Sequence, residues 1–171
     1  MNRLEFRSAL RADDPAAIGE IARSTGFFEG VEGEVECAVD DARASLEDGV
    51  EKSGSEYLLA ELDGRVVAFA SFGPAPVCED AWFVYWIAVS QSLRGKGCGR
   101  VLMNRILSEL FDRRGARKVF LQTSGRPQYE PTRMFYLGLG FAAEAVLKDY
   151  YKAGEDCVFF SIDRRAFGAR A

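Results

Sequence analysis

Apolar and polar residues alternate in "LEFRSAL", residues 4–10, as in a strand with one covered face. The period then lengthens. Asp14 and Pro15 supply an N-cap and a first helical residue for a helix through "PAAIGEIARSTGFF". A second helix is predicted over roughly 34–48, ending near Gly49. "EYLLAEL" and "RVVAFASFG" flank Asp63-Gly64, the pattern of a β-hairpin closed by a type I′ turn. "AWFVYWIAV", 81–89, is apolar at every position, as a central buried strand should be. A glycine-rich loop and a helix to about Arg114 follow, then a strand over 117–124, "RKVFLQTS", parallel to the one before. A short helix after Pro131 ends at Gly138 or Gly140. "FAAEAVLKDYY" and "EDCVFFSID" close the chain as an antiparallel pair. The order β-α-α-β-β-β-α-β-α-β-β predicts an α/β fold, a mixed central sheet with helices on both faces.

Neither a repeat nor a linker-like stretch interrupts the 171 residues, so one domain spanning 1–171 is expected. At 48% hydrophobic and 28% charged residues the composition is that of a soluble globular protein. A net charge of −4 supplies no basic field for nucleic acid or anionic lipid. No apolar run reaches membrane-span length, and "MNRLEFRSALRADD" lacks the apolar stretch of a signal peptide, so a cytoplasmic location is the default expectation.

The chain contains no histidine, which removes Ser-His-Asp and Cys-His nucleophilic catalysis and most zinc chemistry. Cys37, Cys78, Cys98 and Cys157 are widely spaced, without a C-x-x-C pair, so neither disulfides nor a metal are expected. Any chemistry must run on carboxylates, Tyr, Lys, Cys or backbone amides.

"SLRGKGCGRVLM", 92–103, concentrates glycine and positive charge at a strand-to-helix junction. Such a loop presents backbone N–H groups at the positive end of a helix dipole, which makes an anion site. Glycines allow close approach and positive φ, and Arg94, Lys96 and Arg100 add charge. A Walker A loop would need a hydroxyl where Cys98 stands. The dinucleotide pattern G-x-G-x-x-G fails from Gly95, because 100 is Arg, and from Gly97, because 102 is Leu.

The spacing Arg94-x-x-Gly97-x-Gly99 resembles the acetyl-coenzyme-A loop, Q/R-x-x-G-x-G/A, of the GNAT superfamily of N-acetyltransferases. "PTRMFYLGLGF" looks like that family's F-Y-x-x-x-G-F segment. "DYYKAGEDCVFF" is similar to the closing hairpin of its ribosomal-protein and N-terminal-amine branch. The matching segments lie within 81–160, in the family's order.

The resemblance implies a mostly antiparallel sheet of six or seven strands with one splayed parallel pair at the coenzyme site. It implies acetyl-CoA as acetyl donor, with Ile87, Ala88 and Val89 offering backbone groups to pantetheine and the thioester. The pyrophosphate would lie against Gly95, Lys96, Gly97, Cys98, Gly99 and Arg100, with Arg94 beside it. Tyr136 matches the tyrosine that donates a proton to the departing thiolate. Gln122 and Phe83 stand where the family often has a glutamate base, which leaves Glu79, Asp80 and Glu130 as candidates.

The acceptor would be a primary amine, either a protein N-terminus or a small molecule. Acids at 29, 32, 34, 36, 40, 41, 47 and 48, against Arg43 alone, would attract a cationic one or simply form a solvated helix face. Tyr150, Tyr151 and Asp156 would form the opposite wall or pack the hairpin. Nucleic acid and membrane are not expected partners, and a monomer and a homodimer both remain open. A non-catalytic acyl-CoA-binding sensor is the competing reading, favoured by the missing base and opposed by Tyr136.

Overall fold

Two successive residues at positive φ, Asp63 (52°) and Gly64 (75°), reverse the chain between the second and third strands. That is the expected type I′ turn, whose twist matches the strands it joins. Around it, backbone pairing builds a seven-stranded sheet in a computed structural model that describes residues 4–27 and 33–169. The strands are β1 (Glu5–Arg7), β2 (Glu56–Leu62), β3 (Arg65–Pro74), β4 (Ala81–Val89), β5 (Lys118–Ser124), β6 (Ala142–Lys152) and β7 (Glu155–Asp163). Their order is β1-β2-β3-β4-β5-β7-β6. β4 and β5 pair in parallel through Ala81↔Lys118, Trp82↔Val119 and Phe83↔Phe120. The helices are α1 (Asp14–Ser24), α2 (Glu34–Asp48), α3 (Val50–Ser53), α4 (Cys98–Ser108), α5 (Glu130–Gly138) and α6 (Arg164–Gly168).

The chain divides into two compact units, Met1–Gly73 with Tyr85–Ile106, and Pro74–Val84 with Leu107–Ala171. In the first, α1 and α2 lay Ile18, Ile21, Ala38 and Ala42 onto Tyr57, Leu59, Phe69 and Ala88 of the sheet. The other face belongs to α4. Phe6 pairs with Ala60, whose side chain points away from that of Leu59, and Arg105 of α4 stacks on the Phe6 ring at 4.1 Å. Arg7 ties β1 to α1 by donating to Asp14 at 2.5 and 2.7 Å and to Glu61 at 2.7 Å. Both carboxylates are buried, and the Asp14 bond leads in raising the Arg7 pKa.

The second unit rests on β7, which pairs with β5 from Lys118↔Asp163 to Ser124↔Cys157 and with β6 on its other side. Phe111 packs against Phe167 at 5.5 Å, and Tyr136 against Phe160 at 5.6 Å. Glu155 is buried, accepts from Ser124 Oγ at 2.8 Å, and has Arg126 Nε at 2.9 Å.

Several expectations shift. The first strand is only Glu5–Arg7; Arg7 closes the ladder opposite Leu59, and its side chain joins the ion network. The N-cap of α1 is Asp13; the Asp14 carboxylate instead accepts from Arg7 and from the Arg11 amide at 2.6 Å. The central strand β4 leaves Tyr85 exposed. The helix after the glycine loop ends in a π-turn, Glu109–Arg113, and α3 and α6 had no clear sequence signal. Phe28, Glu29 and Glu32 lie outside the described residues.

Gly73 is a position of forced close approach: a Cβ there would run into the Gly54 carbonyl oxygen and lie 3.1 Å from Tyr85. Gly73→Ala should therefore destabilise the protein by about 2 kcal/mol or more, although Ala ordinarily favours a strand over Gly. Urea denaturation reads this directly, and unchanged stability would show that the Gly54 loop yields freely.

Candidate active site

The loop after β4 is shaped by backbone conformation. Ser90 N–H donates to Val67 O at 2.8 Å, fixing the strand end, and a 3₁₀ turn over Gln91–Leu93 follows. Gly95 (φ 75°) and Gly97 (φ 82°) then take conformations that favour glycine. A Cβ at either would meet open space, so φ and not crowding requires glycine there. Val101 N–H donates to Gly97 O at 3.1 Å and opens α4. The amides of Cys98 and Gly99 precede that bond and have no acceptor inside the helix. Lys96 and Arg100 side chains are exposed around this turn. The donor set fits a phosphate anion.

Arg94 has a second use. Its Nη2 donates to Thr25 O at 2.7 Å, and the guanidinium lies over the Phe27 ring at 4.7 Å, so it also pins the end of α1. Cys98 is buried, and burial pushes its thiol pKa up, as suits packing and not nucleophilic attack. Ala88 points into the core with α1 and α2, while Ile87 and Val89 are partly exposed.

In the second unit Tyr136 of α5 is enclosed by Phe135, Phe141 and Phe160, with ring centroids 5.5, 6.0 and 5.6 Å away. Burial, assisted by Tyr129, raises its pKa, so the phenol is a neutral donor throughout the ordinary pH range. Gln122 pairs across the ladder with Phe159, whose ring meets Phe83 at 6.3 Å and Tyr150 at 6.4 Å. The expected base position thus has aromatic surroundings. Glu79 and Asp80 precede β4, at the opposite end of that strand from the glycine loop, and their carbonyls accept from Arg117. Glu130 opens α5 and is exposed.

Asp156 is held by Lys148 at 2.6 Å and by the Asp149 amide at 3.1 Å, and these bonds lower its pKa. Its visible work is to shape the β6–β7 hairpin. Tyr150 and Tyr151 meet edge-on at 5.1 Å on that hairpin, both exposed.

Sequence reasoning missed a cluster in the first unit. Asp41 of α2 shares a helical stripe with Ala38, Ala42 and Ser45, all buried, and its Oδ2 accepts from Trp86 Nε1 at 2.9 Å. An acid three positions after a buried alanine, at the flank of the apolar stripe, was the available signal.

The acetyltransferase (GNAT) family profile matches residues 18–141. The chain belongs to that family. It is 33% identical to a GNAT-family protein of known structure from Desulfovibrio desulfuricans, at a TM-score of 0.88, covering 94% of this chain and 99% of that one. The ribosomal-protein-S18-alanine N-acetyltransferase of Escherichia coli shares the fold at 20% identity and a TM-score of 0.71, over 94% of each chain. An N-alpha-acetyltransferase of Sulfurisphaera tokodaii is 29% identical over 109 residues, 58% of this chain and 64% of that protein. An L-2,4-diaminobutyric acid acetyltransferase of Virgibacillus pantothenticus is 28% identical over 96 residues, 55% and 58%. The chain thus spans about three-fifths of the length of these curated relatives. Among the described residues, no helix is long and apolar enough to cross a membrane.

The loop geometry refines which substitution tests it. Valine at position 97 would strain a backbone at φ 82°, whereas Gly99 lies in α4 and is not at positive φ. Gly99→Val should abolish the rise in Tm that acetyl-CoA gives the wild type, a rise worth about 2.7 kcal/mol at a hundredfold excess over Kd. The unliganded Tm should fall far less. A preserved ligand shift in a thermal scan would place the coenzyme elsewhere.

Proposed function

We propose that the protein is an acyltransferase that moves the acetyl group of acetyl-CoA directly to a primary amine. The observation that carries this reading is the glycine turn. Two residues at positive φ and the first-turn amides of α4 form an anion cradle within a chain of the acetyltransferase family. Acetyl-CoA would supply an activated acyl group as a thioester. Arg94, Gly95, Lys96, Gly97, Cys98, Gly99 and Arg100 would hold its pyrophosphate, and Ile87, Ala88 and Val89 would offer main-chain groups to its arm. The relatives' names point to amine acceptors, a protein N-terminus or a diamino acid.

Direct transfer needs alignment, a neutral amine and a proton for the departing sulfur. Tyr136 is the donor in this reading, since burial keeps its phenol protonated. Gln122 leaves the chain without a carboxylate at the expected base position, so the acceptor must arrive neutral. An α-amine near pKa 8 is about one-tenth neutral at pH 7, and a lysine-like amine near 10.4 is below a thousandth. The difference corresponds to more than about 2 kcal/mol of barrier. Among single amino groups, low-pKa amines should be the better acceptors.

Coenzyme-A release, followed with a thiol reagent over a panel of amines and short peptides, tests the function. Coenzyme binding without release for any acceptor would favour the acyl-CoA sensor, the reading that the absent base supports. Tyr136→Phe should lower kcat roughly ten- to a thousandfold with coenzyme affinity little changed. Full turnover in that variant would make Tyr136 a packing residue only.

The pH profile separates the two groups. kcat/KM should rise with pH and level off at the acceptor's own pKa, moving when the acceptor changes. Because the phenol pKa lies above its ordinary value near 10, the plateau should persist to at least about pH 10. A plateau pinned at one pH for all acceptors would reveal an enzyme base.

A further inference from the structure

The Asp41 carboxylate meets the Trp86 indole in a way that the fold does not require. The residue flanks the buried stripe of α2 that carries Ala38, Ala42 and Ser45, and it is itself exposed. Its Oδ2 takes the Trp86 indole N–H, and Oδ1 meets no donor among the described residues. Trp86 packs against the cluster that contains Tyr57 and Ala88. The Asp41 charge reaches both Tyr57 and Tyr85, where it adds to burial in raising each phenol's pKa.

A second observation is independent of the acid. Tyr57 is 3% exposed and Ser71, its partner across the β2–β3 ladder, 1%. Neither hydroxyl makes a hydrogen bond of acceptable geometry, although the hydroxyls of Ser71 and Ser45 neighbour the phenol. Leaving a buried hydroxyl unsatisfied costs about 1–3 kcal/mol. The two are cross-strand partners, and Tyr57 belongs to the cluster on which Trp86 packs, so their oxygens are acceptors open to an ammonium group with three N–H donors.

We propose that Asp41, Trp86, Tyr85 and Tyr57 form a subsite for an alkylammonium group, so that the preferred acceptor carries a second positive charge besides the amine that is acetylated. This rests on the acetyltransferase reading above and narrows it. Carboxylate and ring faces together recognise such a cation, and the Tyr57 hydroxyl reaches it directly or through one water. The nitrogen held here is not the nucleophile. A carboxylate at contact distance favours the protonated form, and a protonated amine has no lone pair with which to attack. The acceptor is therefore a diamine or another molecule bearing a second ammonium.

Butylamine, charged at pH 7, and the neutral butan-1-ol probe the subsite without catalysis. Titrated into the full chain with coenzyme A present, the cation should move the Trp86 indole N–H resonance at a concentration at least tenfold below the alcohol. Asp41→Asn should abolish that preference. Tyr57→Phe should weaken cation binding at least threefold while leaving Tm unchanged or raised, because it removes an unsatisfied hydroxyl; a purely structural Tyr57 would not give that split. In turnover, 1,4-diaminobutane should exceed butylamine at least tenfold in kcat/KM, and Asp41→Asn should erase the difference. Equal binding of alcohol and cation, or a preference that survives Asp41→Asn, overturns the subsite. Should Asp41→Asn fail to fold, unchanged cation affinity in Tyr57→Phe overturns it instead. Cation binding without acetylation of any amine would sink the acetyltransferase reading and leave the subsite standing. Equal turnover of diamine and monoamine would do the reverse.

Discussion

Positive φ at Gly95 and Gly97 turns the chain out of β4 and into α4, and the chemistry proposed for the protein depends on that turn. A side chain at either residue would find space but not a comfortable backbone. The turn starts the helix with amides that have no acceptor inside it, so main-chain geometry alone leaves a donor set that fits an anion. Arg94 shows how the surroundings hold the turn. It reaches across to the Thr25 carbonyl and the Phe27 ring, so the end of α1 and the beginning of the loop are fixed together.

Burial does different work at the other functional positions. It raises the pKa of both the Tyr136 phenol and the Cys98 thiol, so both stay protonated near neutral pH and the thiol is no nucleophile. It also makes Glu155 a structural acid, bonded to Ser124 and facing Arg126, while neighbouring Asp156 is spent on Lys148 and the hairpin backbone. Asp156, which the resemblance sets in an acceptor wall, is thus engaged within the hairpin, and Glu155 with the end of β5 and the loop after it.

Asp41 and Glu61 show how one residue type takes opposite parts. Glu61 is buried and neutralised by Arg7, with Arg11 at 3.1 Å, so its charge is consumed inside the first unit. Among the described residues Asp41 takes a neutral indole N–H, and its charge is felt by two tyrosines. A carboxylate whose nearest partners are aromatic retains its attraction for a cation from outside.

The sequence by itself determined the order of the strands and of the helices other than α3 and α6, the bounds of α2 and β4, the type I′ turn and the glycine junction. These are local properties: periodicity, β-turn chemistry and the rarity of positive φ outside glycine. It also determined the absence of a carboxylate at position 122, since no fold can supply an acid that the chain lacks there. Only tertiary structure decided what each charge is for. That Asp14 pairs with Arg7 instead of capping its helix depends on β1 lying beside α1. That Asp41 meets Trp86 depends on α2 crossing β4, forty-five positions apart in sequence. Side-chain partners separated by that distance leave no periodic trace, because the energy of a hydrogen bond depends on spacing of a few ångströms in space and not on spacing along the chain.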